Sequence, residues 1–194
     1  MAEAKRAADR IRETARELFY SQGIRAVGVD EIVRSAGVTK PSLYRAYPSK
    51  DALAAEFVSQ WGEGFTRRFE AAIAEHAGDP RAGVLAFFKR LGERTEAKGY
   101  RGCAVSNCAV EYPEAGHPGR AVALTHKAAV RARFRELARE MGARKPNQLG
   151  DGLMLLMEGA FLTGQLFGAG GPAENARKAA KALIDAHLEP SGEA

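Results

Sequence analysis

The spacing of apolar side chains predicts a chain built from helices. From about residue 3 to residue 22, apolar residues such as Ile11, Ala15 and Phe19 recur every three or four positions, with charged residues between them. The same period continues along most of the chain, and no segment shows the alternation typical of a strand. We therefore expect an all-α fold of about nine helices.

Capping residues and helix breakers divide the first 50 residues into three helices. Gly23 ends the first helix. A short second helix is predicted over residues 29–35, followed by a break at residues 36–38. A third helix is predicted from Thr39, its N-cap, to about residue 47.

The rest of the chain shows helix signals of the same kind. Ser49 is expected to cap a long fourth helix, and Asp79 with Pro80 to open a fifth. Further helices are predicted over residues 101–112, from His117 through residue 141, over 146–167 and over 173–188. The segment 146–167 is apolar on nearly all sides, so we expect it to be covered from two directions.

Two short helices joined by a tight glycine-containing turn predict a helix-turn-helix, which presents its second helix to the major groove of DNA. Lys and Arg bind phosphate or guanine edges, Thr and Pro can contact a thymine methyl group, and hydroxyl groups reach phosphate oxygens. The candidate DNA-binding residues, at the start of this helix and just beyond it, are Thr39, Lys40, Pro41, Ser42, Tyr44, Arg45 and Lys50.

The distribution of charge agrees with a DNA-binding segment at the start of the chain. The net charge is +5, and residues 1–50 contribute +4 of it, with 10 basic against 6 acidic side chains. The remaining residues have 19 basic and 18 acidic side chains, a net charge of +1. Such asymmetry is expected for a polyanion-binding segment attached to a nearly neutral body.

Residues 8–53 resemble the DNA-binding domain of the TetR family of bacterial transcriptional regulators. The resemblance implies that the candidate residues above face DNA and that Leu43 and Tyr47 pack inward. Many relatives have Ser or Thr where this chain has Val27 and Gly28, so we expect the second helix to lack a side-chain cap. The matching positions are Phe19, Gly23, Val29-Asp30-Glu31-Ile32, Ala36-Gly37-Val38, Leu43-Tyr44, Tyr47, Ser49-Lys50 and Leu53.

The resemblance also implies a division into a DNA-binding domain, residues 1–50, and a helical domain for ligand sensing and dimerisation, residues 51–194. A single recognition helix covers too few base pairs for a specific site, so we expect a homodimer on a palindromic operator. The dimer is predicted to form through helices near 147–167 and 173–188, with Gly152, Gly159, Ala160 and Gly164 allowing close approach. A core helix of a monomer is the alternative for residues 147–167.

Relatives of this kind are mostly repressors released by a small molecule, so we expect repression and a small, mostly apolar effector that could carry a positive charge. Glu158 stands out because it lies in an apolar run, and a buried carboxylate needs a partner or a ligand. Most of the candidates could equally be core residues. The candidate effector contacts are Trp61, Phe65, Phe88, Asn107, Glu111, His126, Met157, Glu158 and Phe161.

Other classes of function are less well supported. The sequence has no nucleotide-binding or hydrolase motif and no HExxH pair, so we expect no enzymatic activity, metal or cofactor. A thiol- or metal-responsive regulator using Cys103 and Cys108 remains an alternative. A DNA-binding architectural protein is another, but its basic stripe is missing after residue 50. Without a long apolar run or signal peptide, the chain is expected to be cytoplasmic.

Overall fold

The structure, a computed structural model, describes residues 6–188. This range contains nine α-helices, one 3₁₀ helix and no strand, which confirms the all-α prediction. None of the helices in it is long and apolar enough to span a membrane. The start predicted near residue 3 lies outside the described residues. The α-helices are α1 Ala7–Gln22, α2 Val29–Ala36, α3 Lys40–Ala46, α4 Lys50–Ala74, α5 Pro80–Thr95, α6 Ala104–Glu111, α7 Pro118–Glu140, α8 Pro146–Phe167 and α9 Ala176–Asp185, with the 3₁₀ helix at Pro172–Asn175.

Helix α6 begins later than the sequence predicts. The expected start was residue 101, but Gly102 has a φ of +70°, in the left-handed region. A Cβ at this position would also lie 3.3 Å from the carbonyl oxygen of Phe161. Because a residue with this backbone conformation cannot be part of a right-handed helix, α6 begins only after it.

The chain forms two compact units. The first contains the chain up to Glu63 together with Ala104–His126, and the second contains Gly64–Cys103 together with the chain from Lys127 onward. The first unit is therefore larger than the predicted DNA-binding domain of residues 1–50, because it also includes the first part of α4 and the segment Ala104–His126. The functional division after residue 50 stays a prediction.

The first unit is organised around α1. Ile11, Ala15 and Phe19 form the buried face of this helix, which packs against α2 and α3. The ring of Phe19 meets that of Phe57 of α4 edge to face, with centroids 5.6 Å apart. Gly28, the N-cap residue of α2, provides no side-chain cap, as the sequence predicts. Helix α3 is therefore supported by its packing against α1 and α2.

The second unit has an aromatic core. Helix α5 packs against α8 and α9. The rings of Phe69 and Phe87, for example, meet edge to face at a centroid distance of 4.7 Å. Aromatic pairs in this arrangement stabilise a core beyond the area they bury. The interacting rings are those of Phe65, Phe69, Phe87, Phe88, Phe134 and Phe161.

The small residues of α8 pack differently from the prediction. A Cβ at Gly164 would lie 2.4 Å from Cγ2 of Thr95, and one at Gly152 would lie 3.0 Å from Leu183 of the same chain. Ala160 is also buried. The idea that these three residues admit a second subunit is therefore wrong, because their own chain already occupies the space. Gly159 has no atom of the described chain within 4 Å of such a Cβ.

Candidate functional site

The turn between α2 and α3 has the geometry of a helix-turn-helix. Gly37 adopts a left-handed conformation with φ of +61°, and its N–H donates to the carbonyl oxygen of Arg34. The N–H of Val38 donates to the carbonyl oxygen of Val33 at 3.0 Å. Thr39 then caps α3, because its hydroxyl accepts the N–H of Ser42 at 3.3 Å. The predicted N-cap is confirmed, but the corner comprises residues 37–39, because Ala36 is still the last residue of α2.

Helix α3 buries one side and exposes the other. Leu43 is fully buried and Tyr47 nearly so, as predicted. Tyr44, by contrast, is 50% exposed. Among the remaining DNA-binding candidates, Ser42 and Lys50 are half-buried and the others are exposed, namely Thr39, Lys40, Pro41 and Arg45. The exposed side chains lie on the surface that the sequence predicts to face DNA, whereas the inward ones pack within the first unit.

Tyr47 fixes the end of α3 against α4. Burial, together with a hydrogen bond to Glu56 of α4, raises the pKa of the Tyr47 phenol to about 12. The phenol is therefore neutral at every physiological pH and can donate to the Glu56 carboxylate. This contact links the end of α3 to α4.

Lys40 is held by an acidic neighbour. Its Nζ lies 2.7 Å from Oδ1 of Asp30, in the first turn of α2, and both side chains are exposed. The hydrogen bond and charge of Asp30 raise the pKa of Lys40 above its usual value. Exposed ion pairs contribute little to stability. The pair matters because a DNA phosphate would have to compete with Asp30 for the ammonium group.

Asp30→Asn is expected to raise the affinity for DNA several-fold, since it frees Lys40 and removes a negative charge from the surface that faces phosphates. The measurement is a fluorescence anisotropy titration of labelled duplex DNA. Asp9→Asn is the matched control, because Asp9 pairs with Arg12 on α1. Equal effects of the two variants would show that Asp30 does not act on Lys40.

Lys50 has an internal role that the sequence did not predict. Its Nζ donates to the carbonyl oxygens of Ile24 and Val27, at 2.9 and 3.0 Å. Both acceptors belong to the loop between α1 and α2. Two of the three ammonium donors are thus engaged within the protein, and the contact of Lys50 with phosphate stays a prediction.

Four of the candidate effector residues lie in the first unit. Trp61 stacks on Tyr20 of α1 at a centroid distance of 4.4 Å. The ring of His126 lies so close to Gly62 that a Cβ there would be 2.9 Å from Nδ1. The Glu111 carboxylate accepts the backbone N–H of Arg25 at 2.8 Å. Asn107 is half-buried. Their contact with an effector stays a prediction.

The other five candidates lie in the second unit. Phe88 and Met157 are fully buried, and Phe65 and Phe161 belong to the aromatic core. Glu158 has a partner that its sequence neighbourhood does not indicate: Nζ of Lys127 lies 2.5 Å from its Oε1. The same ammonium group lies 5.4 Å from the centroid of the Phe161 ring. The carboxylate therefore needs no cationic ligand to balance it.

Both cysteines are buried and free. Burial and, to a smaller extent, the charge of Glu111 raise the pKa of Cys108 to about 11. Cys103 Sγ accepts a hydrogen bond from Nζ of Lys127 at 3.5 Å. Within residues 6–188, no three His, Cys, Asp or Glu side chains are grouped so as to hold a metal ion.

Comparisons with known proteins agree with the helix-turn-helix. The family model described as "Bacterial regulatory proteins, tetR family" matches residues 11–57. The chain is 28% identical to YxaF, an HTH-type transcriptional regulator of Bacillus subtilis, over 79% of this chain and 82% of that one. It is 27% identical to the transcriptional regulator AcuR of Cereibacter sphaeroides, over 77% of this chain and 72% of AcuR. These named relatives are regulators of transcription.

A solved structure extends the similarity to both units. The TetR-family regulator SCO4454 of Streptomyces coelicolor superposes with a TM-score of 0.85 at 28% identity, covering 94% of this chain and 96% of that one. The family model covers most of α1, all of α2 and α3 and the start of α4, and the structural similarity extends over the helices that follow. The family-model match, the named regulators and the shared fold together support a TetR-family, DNA-binding regulator of transcription.

Proposed function

We propose that the protein is a ligand-responsive repressor that binds a palindromic operator as a homodimer and is released by a small, mostly apolar effector. The proposal rests above all on α3, whose exposed side carries Thr39, Lys40, Tyr44 and Arg45 while Leu43 anchors its other side. Such a helix suits the major groove, with its N-terminal residues at the base edges. A protein of this function would act in the bacterial cytoplasm.

The outer face of α8 supports the dimer. Leu155, Gly159, Leu162 and Leu166 are exposed and follow one another at steps of four, three and four residues, so they form one stripe along the helix. Exposed apolar stripes of this length are uncommon on monomers and are typical of interfaces. On α9, the exposed residues Ala179, Ala182 and Ala186 form a second stripe of small side chains. Two copies would bury these stripes in a four-helix interface.

Release by an effector follows from a difference in affinity between two states of the protein. An effector that binds better to the state with α3 wrongly placed for the operator lowers the fraction of protein on DNA. Of the nine candidate effector contacts, four lie in the first unit and five in the second, and five of the nine are apolar or aromatic side chains. Because Lys127 already balances Glu158, we favour an uncharged effector over a cationic one.

The experiment that tests this function is selection of DNA by the purified chain from a random pool. The duplex recovered by repeated binding and amplification should be about 30 base pairs long, enough for two half-sites one helical turn apart. We refer to it below as the selected duplex. A twofold-symmetric sequence supports the proposal, and failure to enrich any sequence contradicts it. Native mass spectrometry of the purified protein would detect an effector that co-purifies.

The alternative of a thiol-responsive regulator can be tested through the reactivity of Cys108. With a pKa of about 11, Cys108 is almost entirely a thiol at pH 7.5, and thiolates are the reactive form. We expect iodoacetamide at pH 7.5 to leave Cys108 unmodified in the folded chain, as measured by mass, and to modify it once the chain is unfolded. Loss of DNA binding on mild oxidation, reversed by reductant and absent in Cys103→Ser, would instead favour the thiol-responsive alternative.

A further inference from the structure

The loop between α1 and α2, residues 23–28, is attached to two other helices by charged side chains. The first attachment is Lys50, the first residue of α4, whose ammonium group binds the carbonyl oxygens of Ile24 and Val27. Charge-assisted hydrogen bonds of this kind are stronger than those between neutral groups. Lys50 thus fixes both halves of the loop to the start of α4.

The second attachment comes from the end of α6, 86 residues further along the chain. Oε2 of Glu111, the last residue of α6, accepts the backbone N–H of Arg25 at 2.8 Å. Just beyond α6, Oε1 of Glu114 accepts a hydrogen bond from Nη2 of Arg25 at 2.9 Å. The Arg25 guanidinium also lies 5.0 Å from the centroid of the Tyr112 ring. One loop residue is therefore held through its backbone and its side chain.

Gly23 makes room for the Glu111 carboxylate. A Cβ at this position would lie 3.3 Å from both carboxylate oxygens, and φ of Gly23 is +96°. A side chain here would both strain the backbone and crowd the carboxylate. The glycine that ends α1 therefore has a second role, because it lets α6 approach the loop.

The segment that follows α6 also lies close to the start of α4. The ring of His117 stacks on that of Tyr112, with centroids 3.7 Å apart and planes 12° apart. Nε2 of His117 lies 3.5 Å from Oδ1 of Asp51, in the first turn of α4. The two attachments of the loop are thus parts of one connected cluster within the first unit.

The attachments differ in strength. Arg25 and Glu114 are both more than half exposed, so their ion pair contributes little. The bond from the Arg25 N–H to Glu111 is charge-assisted and demands no ordering of a second long side chain. Glu111 and Lys50 are therefore the residues that hold the loop.

We propose that Glu111 and Lys50 are positioning residues for DNA binding: they clamp the α1–α2 loop between α4 and α6, so that the position of α6 sets the orientation of α2 and α3. This inference rests on the proposed function only in that α3 contacts DNA. It gives Glu111 a role distinct from contact with an effector, and it gives Lys50 a role distinct from contact with phosphate.

The test compares Glu111→Leu, which removes the acceptor, with Glu111→Gln, which keeps a neutral one. Val110→Ala is the matched control, because Val110 is the preceding residue on α6 and is 82% exposed. We expect Glu111→Leu to bind the selected duplex about tenfold more weakly, Glu111→Gln to retain most of the affinity, and Val110→Ala to behave as wild type. Without DNA, the amides of residues 25–46 should exchange hydrogen about tenfold faster in Glu111→Leu, while those of α5 and α8 stay unchanged.

Lys50→Met separates the clamp from a phosphate contact. If Lys50 acts as a clamp, the Lys50→Met protein should bind DNA more weakly, with an unchanged slope of log affinity against log salt concentration. Its loss of affinity and that of Glu111→Leu should not be additive in the double variant. A slope lower by about 1 for each chain would make Lys50 a phosphate contact and overturn its part in the proposal.

Two results would overturn the role of Glu111. One is wild-type affinity and wild-type exchange in Glu111→Leu, and the other is faster exchange throughout the chain, which indicates general destabilisation. The exchange measurement needs no DNA. If the wild-type protein bound no duplex at all, the proposed function would fail while the clamp could still be detected by faster exchange in residues 25–46.

Discussion

Leu162→Glu is expected to convert the protein into a monomer and to weaken its binding to the selected duplex about 100-fold or more. Leu162 is 59% exposed in the middle of the apolar stripe on α8. A glutamate there would place one charge from each copy in the proposed four-helix interface, where an unpaired carboxylate is costly. A monomer would bind the duplex through a single recognition helix, and its affinity would fall accordingly. Sedimentation velocity at micromolar concentration measures the assembly, and fluorescence anisotropy measures the affinity.

Leu124→Glu provides the matched control for this prediction. Leu124 is 71% exposed on α7 and lies outside the proposed interface, so the same change should leave both assembly and affinity close to wild type. A Leu162→Glu protein that still sediments as a dimer would place the interface elsewhere. A wild-type protein that sediments as a monomer would remove the dimer altogether.

Arg45→Ala is expected to lower the affinity about tenfold for each half-site, and therefore about 100-fold for a dimer on two half-sites. Arg45 lies in the last turn of α3, is exposed, and has no ion-pair partner among residues 6–188. Its guanidinium is thus available to DNA, in contrast to the ammonium group of Lys40. If Arg45 binds phosphate, the salt slope for the dimer should also fall by about 2. An unchanged slope with weaker discrimination between sequences would indicate a guanine contact.

Arg34→Ala tests whether the loss of DNA affinity expected for Arg45→Ala depends on the position of the arginine. Arg34 is also exposed and lies in the last turn of α2, so its removal changes the net charge of the domain by the same amount. We expect a much smaller loss of affinity for Arg34→Ala, because this change only weakens the long-range attraction between the domain and DNA. Equal losses for both variants would mean that general positive charge, and not the position of Arg45 on α3, accounts for binding.

The local features of the fold were predictable because their causes lie within a few residues of sequence. Thr39, Ser49 and Asp79 each accept a backbone N–H three residues ahead, as expected for N-caps. Gly37 adopts the left-handed conformation that a tight corner requires. The inward packing of Leu43 follows from the helical period once the ends of α3 are known. These signals were enough to predict the helix-turn-helix.

Contacts between distant segments left no local signal. Nothing near Arg25 in sequence indicates that its N–H donates to Glu111, which lies 86 residues further along the chain. Glu158 suggested a missing partner, but the partner, Lys127, is 31 residues away on another helix. The glycines of α8 were expected to admit a second subunit, yet Gly164 admits Thr95 of its own chain. Periodicity identifies which residues pack but not what they pack against.

Hydrogen exchange of α3 with and without the selected duplex shows whether α3 contacts DNA from each half of a twofold assembly. At a ratio of two chains to one duplex, we expect the amides of residues 39–47 to exchange about tenfold more slowly when DNA is bound, while those of α5 do not change. Saturation at one chain per duplex would rule out the twofold assembly, and unchanged exchange in α3 with protection of another segment would rule out α3 as the DNA contact.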